Sequence, residues 1–197
     1  MNDSKNLNTI QQYVGDMVSL ESHIEEAIDG QLKEKTTHQE SLELIRRFHT
    51  MVRGHRDALK AHLQQIGGSE SHPIKDTVSD LAGMAAGVIN NLRTKGISKS
   101  LRDDYTAFNH AAIGYAMLHT TARALGDTRT ADLAERYLRD YAKAVQEINQ
   151  IISSAVLWEL REEPGHQIDE SAAQHTTHVV NEVWRETSPS HTATRAA

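Results

Sequence analysis

Apolar residues recur every three or four positions in four long stretches of this chain, which predicts four amphipathic helices. Glycine or proline follows three of the stretches, at Gly67, Gly126 and Pro164, where such residues commonly end a helix. Thr37 and Glu40 have the spacing of a capping box before the second stretch. The predicted helices span approximately residues 9–35, 37–66, 99–125 and 128–161.

The connection between the second and third helices is long. Two antiparallel neighbours need only a few linking residues, whereas residues 67–100 suit a crossover that returns the chain to the other end of the bundle. A short helix rich in alanine and glycine is predicted within it, from about Asp76 to Arg93. The pattern therefore predicts an all-α chain that folds as a ferritin-like four-helix bundle with a crossover helix.

A C-terminal extension follows the bundle. Asp169 is a candidate cap for a fifth helix that ends near Glu186, and a disordered end is predicted after it. A short helix with a thin apolar face is marginal alone, so we expect it to pack on its own bundle or on another subunit. The predicted organisation is a bundle in residues 1–163 and a tail in residues 164–197.

One carboxylate interrupts the apolar face of the first helix. Glu21 falls among Met17, Leu20 and Ile24, and a charged side chain in such a place is costly unless it is paired, protonated or bound to a metal. Inward-pointing carboxylates build the dinuclear metal sites of ferritin-like bundles. His55 is the other polar group that clearly points inward at the same height.

Two interpretations of Glu21 and His55 follow. They either belong to a functional dinuclear metal centre, or they form a buried hydrogen-bonded pair, a structural remnant, in which Tyr115 or Tyr141 takes part. Two protein ligands are too few for a dinuclear centre, so the hydrogen-bonded pair is the preferred interpretation.

Composition and charge exclude several classes. A formal net charge of -6 argues against a general nucleic-acid binder. The absence of cysteine excludes thiol catalysis and fits the cytoplasm, and the polar N-terminal residues do not resemble a secretory signal. No stretch approaches the roughly 18 apolar residues of a membrane span. Neither a Gly-x-Ser-x-Gly elbow nor a glycine-rich phosphate loop is present.

Two predicted helices carry charged faces of opposite sign, which predicts pairing within the bundle or between subunits. Phosphate or DNA binding by the basic face is the minor alternative. The acidic residues of the first helix are Glu25, Glu26, Asp29 and Glu34. The basic residues of the second helix are Arg46, Arg47, Arg53, Arg56 and Lys60.

Over residues 8–161 the chain resembles the YciE/YciF-type ferritin-like family, bacterial stress-associated bundles related to rubrerythrin. The segments that carry the resemblance are VSLESHIEEAI (18–28), RGHRDALKAHLQQIGG (53–68), LRDDYTAFNHAAIGYAMLHTTARALGD (101–127) and LAERYLRDYAKAVQEI (133–148).

The resemblance implies a dinuclear iron or manganese site whose ligands come from all four helices. Glu21 matches the glutamate of the first helix. No acid stands in the corresponding parts of the second and third helices, at residues 48–51 and 109–112. In the fourth helix the paired glutamates are replaced by Asp140 and Tyr141, and Tyr141 holds the inward position.

The preferred function is therefore a non-catalytic, self-associating bundle, a pseudoenzyme with a structural or stress-associated role. No cofactor is expected in that case, and the tail helix around Val179, Val183 and Trp184 would contact a further copy of the chain. The alternative is an iron- or manganese-binding oxidase or metal-storage protein. Its candidate ligands are Glu21, His55 and Asp140, with His110 as a further candidate.

Overall fold

The computed structural model describes residues 2–33, 36–69 and 96–187, and every secondary-structure element in these ranges is a helix. The all-α prediction is confirmed. The first helix begins at Asn2 rather than at Thr9, and the predicted crossover helix and the last residues lie outside the described ranges. The helices are α1 (Asn2–Gln31), α2 (Gln39–Gln65), α3 (Ile97–Ala124), α4 (Thr128–Glu162) and α5 (Ala172–Thr187).

The cap of α2 differs from the prediction. His38, and not Thr37, is the N-cap residue, and its Nδ1 atom accepts a hydrogen bond from the backbone N–H of Ser41. The ends of α2 and α3 are as predicted, since Gly67 and Gly126 follow them with positive φ angles of 77° and 82°. Glycine adopts this conformation without a steric penalty.

Side-chain contacts fix the directions of the helices. Gln11, near the start of α1, donates a hydrogen bond to the carbonyl of Ile66 at the end of α2. Gln31, at the end of α1, donates one to Asp104 near the start of α3. Helix α1 is therefore antiparallel to both α2 and α3, so α2 and α3 run in the same direction. The end of α2 and the start of α3 therefore lie at opposite ends of the bundle, as the predicted crossover requires.

The four long helices enclose one apolar core, and α5 packs along α4. Helix α1 approaches α3 closely at Gly114, where an added Cβ atom would lie 2.9 Å from the sulfur of Met17. Phe48 and Phe108 meet edge to face in the core, with ring centroids 4.9 Å apart. The fully buried large side chains are Ile28, Ile45, Phe48, Leu59, Leu63, Leu101, Phe108, Tyr115, Leu118, Tyr141, Ile148 and Glu21.

A carboxylate from α4 caps the start of α3. Glu159 is buried and accepts hydrogen bonds from the backbone N–H of Ser98 at 2.8 Å and from its hydroxyl at 2.6 Å. The N-cap residue of α3 is Gly96, which has no side chain to do this. A negative group is favourable at a helix N-terminus, where unpaired N–H groups point outward.

We expect Glu159→Gln to lower the free energy of unfolding by about 1–3 kcal/mol, because hydrogen bonds to a charged acceptor are stronger than those to an amide. Urea denaturation measures the effect, and Glu162→Gln, an exposed change at the end of α4, is the matched control. Equal losses in the two variants would contradict a capping role for Glu159.

Candidate functional site

Glu21 lies at the centre of the bundle with no exposed surface, and two tyrosines hold its carboxylate. The hydroxyl of Tyr115 on α3 donates a hydrogen bond to Oε1, and the hydroxyl of Tyr141 on α4 donates one of 2.6 Å to Oε2. Both tyrosines are fully buried. Each oxygen of the carboxylate therefore has a donor from a different helix.

Each of the three residues reaches the centre because it occupies an apolar position of its helix. Tyr115 lies one turn after Ala111 and one turn before Leu118 in the buried face of α3, and Tyr141 takes the same kind of position in α4. Side chains at such spacing share one helix face. The hydroxyls of both tyrosines point at Glu21 on α1, and their ring centroids lie 5.8 Å apart.

His55 on α2 completes the cluster and connects it to the surface. Its ring stacks on Tyr137, with centroids 3.9 Å apart. Its Nδ1 atom lies 3.4 Å from Oε1 of Glu21 without hydrogen-bond geometry, and its Nε2 atom lies 3.1 Å from Oδ2 of Asp140. The side chain of Asp140 is 50% exposed, so a row of polar groups leads from solvent to Glu21.

Burial keeps both central phenols protonated. It is the largest cause that raises the pKa of Tyr115 and Tyr141 well above 10, and the negative charge of Glu21 raises both further. Burial also raises the pKa of Tyr137. A tyrosine that stays protonated remains a hydrogen-bond donor, so the two phenols act on Glu21 as donors throughout the neutral pH range.

The sequence predictions for this site divide into three outcomes. The inward positions of Glu21 and His55 are confirmed by their burial, and both tyrosines suggested as partners bind Glu21. The predicted hydrogen bond between Glu21 and His55 is wrong, because Nδ1 of His55 has no hydrogen-bond partner. Asp140 contacts Nε2 of His55, whereas Glu21 lies near Nδ1 of the same ring, so the two carboxylates are on different sides of the imidazole. His110 lies exposed on α3.

Metal binding at this cluster stays a prediction. Within residues 2–33, 36–69 and 96–187, no group of three or more histidine, aspartate or glutamate side chains is arranged to hold a metal ion. Glu21 and Asp140 face different nitrogens of His55, so the three candidate ligands form a row and do not surround one point.

Asp104 is a buried acid that the sequence analysis did not identify. Its side chain is 2% exposed, Gln31 donates to Oδ1 at 2.7 Å, and Oδ2 has no hydrogen-bond partner. Burial raises its pKa to about 7. The spacing could have identified it, because Leu101, Asp104 and Phe108 follow the period of the buried face of α3.

The predicted pairing of the charged faces of α1 and α2 within the bundle is confirmed for Arg56 and Glu25, whereas Arg47 pairs with Glu147 on α4. Arg56 bonds to Glu25, and Nε2 of His49 lies 2.9 Å from Oδ1 of Asp29. These contacts stand at the edge of the α1–α2 interface, where partly exposed ion pairs contribute little to stability.

This fold and this site define the class of protein. It is a four-helix bundle of the ferritin-like type, with a buried polar centre to which all four long helices contribute. The model of the family described as "Domain of unknown function (DUF892)" matches residues 11–161, and the chain belongs to that family. The match includes every residue of the Glu21 cluster. The narrower relation to YciE/YciF-type or rubrerythrin-related proteins stays a prediction.

Two solved structures share the fold. A protein from Xanthomonas campestris pv. campestris is 13% identical, with a TM-score of 0.66 over 80% of this chain and 97% of that one. Antigen TpF1 from Treponema pallidum is 15% identical, with a TM-score of 0.61 over 77% of this chain and 96% of that one. No curated protein matches the chain. Among the described helices, none has the length and apolar character needed to cross a membrane.

Proposed function

We propose that this protein is a non-catalytic ferritin-like bundle that associates with further copies of itself, in a structural or stress-associated role. The observation that carries the proposal is the exposed apolar surface of α5. Of the large apolar side chains that are exposed in the described residues, three lie on this one short helix: Val179, Val183 and Trp184. Apolar groups concentrated on one surface element are typical of an interaction site.

Helix α5 contacts its own bundle through a face that does not include Val179 or Val183. Ala173, Thr177 and Val180 are partly buried residues on that face, and Asn181 accepts a hydrogen bond of 2.6 Å from Gln150 on α4. Trp184, which is 51% exposed, follows Val180 by one turn on the same face, whereas Val179 and Val183 are 41% and 50% exposed on an adjoining side of the helix. The helix is thus held on α4 while Val179 and Val183 stay open to solvent.

The polar side chains on α5 favour a second copy as the partner, because an imidazole N–H can donate a hydrogen bond to a carboxylate. His175 and His178 lie in the first half of the helix, and Glu182 and Glu186 lie in the second half. A two-fold interface places the same surface patch of both subunits together. Two antiparallel copies of α5 then bring the histidines of one opposite the glutamates of the other, with the valines between them.

The Glu21 centre supports the non-catalytic part of the proposal. Both carboxylate oxygens already accept hydrogen bonds from phenols, and the raised pKa of each phenol opposes its use as a phenolate ligand. Both oxygens of the Glu21 carboxylate are thus satisfied by the protein itself, and a satisfied buried polar group stabilises a fold.

We expect Val179→Ser, Val183→Ser and Trp184→Ser, combined in the full chain, to reduce the assembly to monomers in light scattering. Serine removes the apolar area whose burial would drive association. Gln174→Ser with Arg185→Ser, two exposed changes on a side of the same helix away from Val179 and Val183, is the control and should leave the mass unchanged. A truncation after residue 163 should match the triple variant. Equal masses for the wild type and the triple variant would show that α5 is not the assembly element.

The second candidate is an iron- or manganese-binding protein. The observation in its favour is the Nδ1 atom of His55, a buried nitrogen without a hydrogen-bond partner that lies 3.4 Å from Oε1 of Glu21. The donor set fits a dinuclear centre poorly, because such centres use carboxylates from four helices. Elemental analysis of protein purified from iron- and manganese-supplemented medium decides between the candidates. Stoichiometric metal that is lost in Glu21→Gln would establish the second one.

A further inference from the structure

We propose that Tyr115 and Tyr141 form a buried one-electron donor, in which the loss of an electron is coupled to transfer of a phenolic proton to Glu21. The oxidant would be a diffusible outer-sphere species, such as an oxidising radical. This activity is independent of self-association and requires no metal in the protein.

The geometry provides the proton acceptor. Each tyrosine hydroxyl already donates to one oxygen of the Glu21 carboxylate. A proton that moves along such a hydrogen bond travels a short distance and needs no water. In the step, the phenolic O–H bond breaks, a new O–H bond forms on Oε1 or Oε2, and the oxidant gains one electron. The products are a neutral tyrosyl radical and a neutral carboxylic acid, and return of an electron reverses the step.

Burial favours this coupled step over simple proton loss. Deprotonation of Tyr115 would add a second negative charge beside Glu21, which is why burial and that charge raise its pKa. Loss of an electron with internal proton transfer has the opposite effect on charge, because it converts a buried anion and a neutral phenol into two neutral groups. A region of low dielectric favours the state with less charge.

An aromatic side chain connects the pair with the outside. Tyr137 is 8% exposed, and its ring centroid lies 5.4 Å from that of Tyr115. On its other side it stacks on His55, which contacts the half-exposed Asp140. An external oxidant can therefore take its electron through Tyr137, while the radical stays on buried phenols that solvent does not reach.

The experiment treats the full-length protein with hexachloroiridate(IV), a one-electron oxidant, and follows the product by freeze-quench electron paramagnetic resonance. The wild type should yield a neutral tyrosyl radical that outlives the signal of free tyrosine. Tyr115→Phe with Tyr141→Phe should abolish the long-lived signal. Glu21→Gln should lower its yield by about tenfold or more, because an amide does not accept the proton.

The control is Tyr13→Phe with Tyr105→Phe, which removes two partly buried tyrosines outside the cluster and should leave the signal unchanged. Circular dichroism checks the fold of each variant. If the double variant of the pair fails to fold, the single variants replace it, and each should change the hyperfine pattern of the signal. A long-lived signal that persists unchanged without the two hydroxyls, or with Gln at position 21, would overturn the proposal, as would its absence from the wild type.

Discussion

Combined replacement of Tyr115 and Tyr141 by phenylalanine is expected to lower the free energy of unfolding by about 3–6 kcal/mol at pH 8. Each change removes a hydrogen bond to a buried carboxylate, and a hydrogen bond to a charged group is worth roughly 1.5–3 kcal/mol. The rings and their packing remain, so the loss measures the hydroxyl groups alone. Urea denaturation followed by circular dichroism gives the free energy.

A further replacement identifies the cause of that loss. Without its donors Glu21 is a buried carboxylate beside apolar rings. Adding Glu21→Leu to the double variant should recover much of the lost stability at pH 8, since an apolar centre replaces an unpaired charge.

Tyr105→Phe, at a partly buried position of α3, is the control and should cost less than about 1 kcal/mol. If the double variant stays within about 1 kcal/mol of the wild type at pH 8, the hydrogen bonds to Glu21 do not stabilise the fold.

Asp104→Asn is expected to stabilise the protein at pH 8 by up to about 4 kcal/mol, from a pKa difference of about three units. The pKa of Asp104 is about 7 in the fold, against an ordinary value of 3.8. Between these values the folded state binds more protons than the unfolded state, so the stability of the wild type falls as the pH rises through this window. Asparagine does not titrate, and its Oδ1 still accepts the hydrogen bond from Gln31.

The gain from Asp104→Asn should therefore be small at pH 4 and largest above pH 7, as measured by urea denaturation at both values. Asp103→Asn is the matched control, because the neighbouring carboxylate is partly exposed and pairs with Lys99 and Arg102. The control should lower stability slightly at pH 8. A gain in Asp104→Asn that is equal at both pH values would show that the charge of Asp104 is not its cause.

The sequence predicted much of the fold because helix formation is largely local. Apolar spacing and end signals such as Gly67 and Gly126 placed the four long helices, and the length of the predicted connection, residues 67–100, predicted the crossover between parallel helices. The same spacing placed Glu21 and His55 inside, where their burial confirms them. The start of α1 was missed because residues 2–8 are polar except for Leu7 and carry no apolar period.

The sequence by itself determined which side chains face the core, since a residue's position in the helical period decides its face. Only the tertiary structure decided which core residues meet: Tyr115 and Tyr141 bind Glu21, and Asp140 reaches His55 on the ring edge away from it. These pairings depend on the rotation and height of each helix relative to its neighbours. Packing across the whole core sets both quantities, and no local pattern in the chain encodes them.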